Sequence, residues 1–137
     1  AIMGSYDIAT INLNDFSVGW IRNVGHSPRH LNMDPQGQFL YATLNGAGQV
    51  AKLDLATGTV VSKVSTGGAP RSMAISGDGE FLYVVNYESD SVSKIRTRDM
   101  KVVKTVPVNS SPIGITYDNA TNRVWVACYS GSILVFQ

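Results

Sequence analysis

Proline recurs at positions 28, 70 and 112, a step of 42 residues, and the rest of the chain keeps the same step. The aromatic positions Tyr41, Tyr83 and Trp125 follow it, as do the apolar sets Ile8, Val50, Val92 and Ile11, Leu53, Ile95. Val18, Val60 and Val102 form a further set. Aligning residues 28–69 with 70–111 leaves 11 of 42 positions identical, enough to show one unit copied along the chain. The third copy holds the register to Tyr129 and then drops one residue before Ser132. A repeated unit of this length cannot bury its apolar side alone, so neighbouring copies must stack.

Each copy reads as four short strands, most clearly in the second. Residues 71–76 (RSMAIS) lead into the turn Gly77-Asp78-Gly79. Residues 81–86 (FLYVVN) are rich in the aromatic and β-branched types that strands favour. Residues 91–97 (SVSKIRT) alternate, and residues 101–108 (KVVKTVPV) form the fourth strand. Pro107 lies in that fourth strand, and a proline cannot donate to a ladder, so the strand belongs at a sheet edge. Four strands per repeat, with a period near 40–45 residues, predict an all-β fold: a β-propeller of four-stranded antiparallel blades.

Composition bounds the function classes. Apolar residues make up 44% and charged residues 15%, a globular balance. The net charge of +1 gives no basic footprint for nucleic acid. No apolar run is long enough for membrane insertion by a helix. Cys128 is the single cysteine, which excludes an internal disulfide and a multi-cysteine zinc site.

The motifs resemble the propeller family named for its Tyr-Val-Thr-Asn sequence. The matching segments are Tyr41-Ala42-Thr43-Leu44, Tyr83-Val84-Val85-Asn86 and Trp125-Val126-Ala127-Cys128. The turn before each appears as Asp34-Pro35-Gln36-Gly37, Ser76-Gly77-Asp78-Gly79 and a degenerate Asp118-Asn119-Ala120-Thr121. The Gly-x-x-Pro lead-in to each blade appears as Gly25-His26-Ser27-Pro28, Gly67-Gly68-Ala69-Pro70 and Asn109-Ser110-Ser111-Pro112. The resemblance implies a propeller of the bacterial envelope, periplasm or cell surface. It implies no particular activity, because this architecture hosts binding modules and enzymes alike.

In that family's strand order, residues 6–13 and 18–24 are the third and fourth strands of one blade. Full blades follow at 28–66 and 70–108, and residues 112–136 supply three strands of a last one. Closed rings generally need about 4–8 blades. The ring in this chain is therefore incomplete, and the start at residue 6 reads as a cut within a longer propeller. Open ends would expose apolar blade faces. Self-association is expected, with a partner's residues 18–24 adding beside 132–136 and residues 6–13 displaced.

Function-bearing candidates sit where two loop types share one face around the channel. The loops before the first strands carry His26, Arg29, His30 and Arg71. The loops after the second strands carry Asn45, Asn86, Tyr87, Glu88, Cys128 and Tyr129. These positions differ between copies, whereas the invariant ones report packing. Arg29 and Arg71 with one histidine form a candidate seat for an anion or carboxylate, since a guanidinium donates charge-assisted hydrogen bonds. The competing reading has the arginines pair with blade carboxylates or line a wet channel, and leaves the histidines to cap loops. His26 and His30 alone do not make a metal site, and no cofactor motif is present. Cys128 reads as a small packed thiol. Asn109-Ser110-Ser111 and Asn119-Ala120-Thr121 match the glycosylation pattern.

Two functional readings follow. One is a non-catalytic binding or scaffold module, part of a larger exported protein, that takes a protein or a small anionic ligand on the loop face. The other is part of a lactonase-like hydrolytic propeller. A carboxylate beside Arg29 or Arg71 would favour the second, and Glu88 is the candidate.

Overall fold

The computed structural model describes all 137 residues. Thirteen strands form four antiparallel sheets. The first sheet is a hairpin of β1 (Ile8–Ile11) and β2 (Val18–Ile21). The second orders β3 (Pro28–Met33), β4 (Phe39–Leu44), β5 (Gln49–Asp54) and β6 (Thr59–Ser65). The third repeats it with β7 (Pro70–Ile75), β8 (Phe81–Asn86), β9 (Ser91–Arg96) and β10 (Lys101–Pro107). The fourth has three strands, β11 (Pro112–Asp118), β12 (Arg123–Cys128) and β13 (Ser132–Phe136). One 3-10 turn, Asn45–Ala47, interrupts the β content. This is the expected all-β arc of propeller blades with an open ring.

Strand alternation explains how the blades stack. Successive side chains on a strand point to opposite faces, so each inner strand packs on both neighbours. On β4, Leu40, Ala42 and Leu44 face back and join Ile8, Val24, Ala51 and Leu53 in one core. Tyr41, on the same strand, faces forward and joins Val50, Met73, Leu82, Val84, Ile95 and Met100 in the next. Val85 and Val92 then face forward onto Val124, Val126 and Cys128. The core therefore lies between sheets.

The repeat pattern predicts a core of Leu31, Met73 and Ile115 on first strands, Leu40, Tyr41, Leu82, Tyr83, Val124 and Trp125 on second strands, and Val50, Leu53, Val92 and Ile95 on third strands; all are buried but four. Leu31 and Ile115 are only half-buried at the margins of the first and third cores, whereas Met73 at the same repeat position is buried. Tyr83 is half-buried and stacks on Tyr117 at 5.8 Å between ring centroids. Trp125 is 39% exposed although its repeat equivalent Tyr41 is 1% exposed, since no sheet covers the forward face of β12. Trp20, at a strand position where a tryptophan is expected to pack, is also exposed, with the Arg22 guanidinium carbon 4.3 Å from its ring centroid.

The first hairpin is more firmly held than the strand-swapping scheme requires. β1 pairs with β2 from Ile8↔Ile21 to Ile11↔Val18, and Ile8 is buried in the first core. Displacing residues 6–13 would break that ladder and expose Ile8, so these residues are not redundant.

Hydrogen bonds stitch one blade to the next. Thr43 Oγ1 donates to the Arg71 carbonyl (2.8 Å), Ser72 Oγ to the Ile113 carbonyl (2.7 Å) and Lys52 Nζ to the Thr97 carbonyl (3.1 Å). Lys52 also lies 3.9 Å from the Phe39 ring centroid, so its stem and charge both serve the interface.

Each first strand begins the same way. The residue before the proline is left-handed: Ser27 at φ 54°, Ala69 at 48° and Ser111 at 58°. A side chain in this region costs about 1–2 kcal/mol, and glycine does not pay it. Ala69→Gly is therefore expected to raise unfolding stability by about 0.5–1 kcal/mol, after its greater freedom in the unfolded chain is subtracted. A lower urea midpoint than wild type would show that Ala69 is not strained.

Candidate functional site

The two loop families do meet on one face. The backbone N–H of Asn45 donates to the Ser27 carbonyl (2.9 Å), that of Tyr87 to Ala69 (3.2 Å) and that of Tyr129 to Ser111 (3.0 Å). In every blade the loop after the second strand is thus tied to the residue before the proline. The proline is followed at once by a bulge, where the pairing shifts between Pro28 and Leu31, between Pro70 and Met73, and between Pro112 and Gly114. Bulges re-aim side chains and recur beside functional sites. Arg29, His30 and Arg71 all lie within these bulged stretches.

The structure links His30 to Arg71 through a residue that the sequence reading passed over. The His30 backbone N–H donates to Thr43 Oγ1 (2.9 Å), and the same hydroxyl donates to the Arg71 carbonyl. Thr43 is the threonine of the Tyr-Ala-Thr-Leu segment, and Val85 and Ala127 stand at its equivalents. That difference was the available signal. Burial pushes the His30 imidazole pKa below its ordinary value.

Arg71 is the best-defined member. Its guanidinium carbon lies 3.5 Å from the Tyr87 ring centroid, a close cation–π contact. Tyr87 meets Tyr129 edge-on at 6.2 Å. Arg71 Nε is buried without a hydrogen-bond partner. Arg29 places Nη1 3.3 Å from the Met3 sulfur. The ion pairs of the chain are Arg22–Asp7 and Arg96–Asp99, so neither Arg29 nor Arg71 is neutralised by a carboxylate. Of the competing reading, the pairing with blade carboxylates is not formed, and the wet-channel arm is left standing.

Other candidates are engaged in packing. The His26 ring lies 5.4 Å from that of Tyr6 and covers the Gly46 Cα so closely that a Cβ there would sit 2.2 Å from Nδ1. Asn45 spends its amide on the Pro70 carbonyl (3.2 Å). Asn86, expected to face the channel, is fully buried and donates to Ser91 and Ser93. Its position beneath Gly67 leaves a ligand no path to it. Glu88 is exposed and leans on Gly68, not on either arginine. Cys128 is buried in the third core. Tyr129 is exposed and open at the loop face.

These features define a class: an arc of a β-propeller whose bulged first strands carry two arginines with no carboxylate partner and one half-buried histidine. The chain belongs to the cytochrome D1 heme domain family, whose model matches residues 23–132. The comparison with curated proteins finds no match. Among solved structures, a chain of hydrazine synthase from Kuenenia stuttgartiensis is 32% identical, with a TM-score of 0.78 over 80% of this chain. The dihydro-heme d1 dehydrogenase NirN, in complex with DHE, is 20% identical with a TM-score of 0.76 over 91%. A chain of the mitotic checkpoint complex is 13% identical with a TM-score of 0.85 over the full length. At such identities the last two speak to fold alone. The chain spans 32%, 28% and 42% of these three chains, so it corresponds to a part of each.

Proposed function

We propose that this chain forms part of a ligand-binding propeller and supplies one side of a seat for a carboxylate-bearing tetrapyrrole. The observation that carries the reading is Arg71, stacked on Tyr87 with no carboxylate partner and with its terminal nitrogens free of hydrogen bonds within the chain. An unpaired, half-buried guanidinium is held for an anion supplied from outside the fold. Arg29 adds a second unpaired guanidinium at the equivalent position one blade earlier. The His30 imidazole, half-buried on the same bulged stretch as Arg29, would offer a further nitrogen to hold the bound group. Membership of the cytochrome D1 heme domain family supports the same ligand class. A bound iron tetrapyrrole would supply the redox chemistry, and this chain's residues would bind and orient its carboxylates.

The role is that of a binding module, within an exported or envelope protein. Family membership and the Tyr-Val-Thr-Asn-like segments support that setting. The hydrolytic alternative draws no support from Glu88, whose carboxylate forms an ion pair with neither arginine.

Haemin titration followed by Soret absorbance tests the proposal. Saturable binding is expected, weaker for the dimethyl ester. Arg71→Leu should weaken haemin binding by about tenfold or more, the usual worth of a hydrogen bond to a charged group. Equal binding of haemin and its ester, or no saturable shift, would reject it.

A further inference from the structure

We infer that Tyr87 is a positioning residue that holds Arg71 for end-on capture of a carboxylate, an inference that rests on the seat just proposed. Three observations carry it. The guanidinium carbon lies over the Tyr87 ring, 3.5 Å from its centroid, and Tyr129 packs on that ring in a T-shaped pair. Backbone bonds then fix the platform, since the Tyr87 N–H donates to Ala69 and the Glu88 N–H to Gly68. Arg71 Nε is buried, whereas its two Nη groups make no hydrogen bond within the chain and stay accessible. A carboxylate approaching from solvent cannot use the Nε side of the fork. It can meet only the Nη1–Nη2 end, which Tyr87 holds in place.

The repeats show that the blade fold does not require this stack. The first blade has Arg29 with Asn45 at the two equivalent positions, and the third has Ile113 with Tyr129. Only the second combines arginine with tyrosine. Without a ring beneath it, Arg29 reaches instead toward Met3. An arginine on a flexible stem loses rotamer entropy when it binds, and a preformed stack removes part of that cost in advance.

Haemin affinity of the full chain, with the dimethyl ester as control, tests the assignment. Tyr87→Leu should weaken haemin binding about fivefold, as a cation–π contact near 1 kcal/mol implies. It should leave ester binding unchanged. Tyr87→Phe, which keeps the ring face, should stay within about twofold of wild type. Adding Tyr87→Leu to Arg71→Leu should cause no further loss, because the two act as a unit. In the unliganded wild type, the Arg71 side-chain proton resonances should show the upfield ring-current shift of a stacked guanidinium. That measurement holds even if Tyr87→Leu fails to fold.

Unchanged haemin affinity in Tyr87→Leu, with ester discrimination intact, would overturn the positioning role and leave the seat standing. Equal losses in Tyr87→Phe and Tyr87→Leu would overturn it too, by assigning the effect to the hydroxyl. Unshifted Arg71 resonances would do the same. A wild type that does not distinguish haemin from its ester removes the seat and this role together.

Discussion

Leu82→Ala should lower the unfolding free energy by about 2–5 kcal/mol, the range for a buried leucine whose cavity cannot collapse. Leu82 has no exposed surface and lies in the core between the second and third sheets. Its neighbours Tyr41 and Val50 come from the sheet before, while Met73, Val84 and Ile95 come from its own. The cavity would therefore open across the seam where one blade leans on the next. Relaxation there requires two sheets to slide together, and the stitches Thr43–Arg71 and Lys52–Thr97 resist that. Urea unfolding checks the figure. A midpoint equal to wild type would contradict the placement of β8 in the core.

The second large effect concerns association. At micromolar concentration the 137-residue chain should sediment as a dimer or larger species. The forward face of the last sheet exposes Trp125, Ile133 and Val135, and the backward face of the first hairpin exposes Ile11, Val18 and Trp20. Within the chain, forward faces of this kind are covered by backward faces, as Tyr41 and Val50 are by Met73 and Leu82. A second copy offers the same complement. Monomers rarely leave apolar patches above a few hundred Å2 uncovered. Because β1 is tied to β2 and Ile8 is buried, face-to-face stacking replaces the strand exchange that the sequence pattern pointed to. Trp125→Glu combined with Ile133→Glu should return the chain to a monomer. A wild-type monomer in sedimentation velocity would refute the argument from exposed surface.

The pattern of residues carried the architecture because blade stacking is a periodic problem. A strand buried on both faces needs apolar residues at every position, and a stack of such sheets needs them again at each repeat. Pro28, Pro70 and Pro112, with the Tyr41–Tyr83–Trp125 set, record that constraint directly. Pro107 marked the outer edge, since a missing N–H is tolerated only there. The grouping of the two loop types followed from the same topology.

Three things were decided only in three dimensions. Burial depends on what lies opposite: Tyr41 and Trp125 occupy the same repeat position, yet only Tyr41 meets a following sheet. Side-chain direction at the site depends on a bulge, and the one-residue register shift after each proline is written in backbone pairing, not in residue type. Candidates that look alike in sequence also part company: Asn86 turns inward to Ser91 and Ser93, His26 settles on Tyr6 and Gly46, and Arg71 rests on Tyr87 without a counter-charge. The sequence determined which residues could reach the loop face. The packing of one loop against another decided which of them kept a charge free to bind.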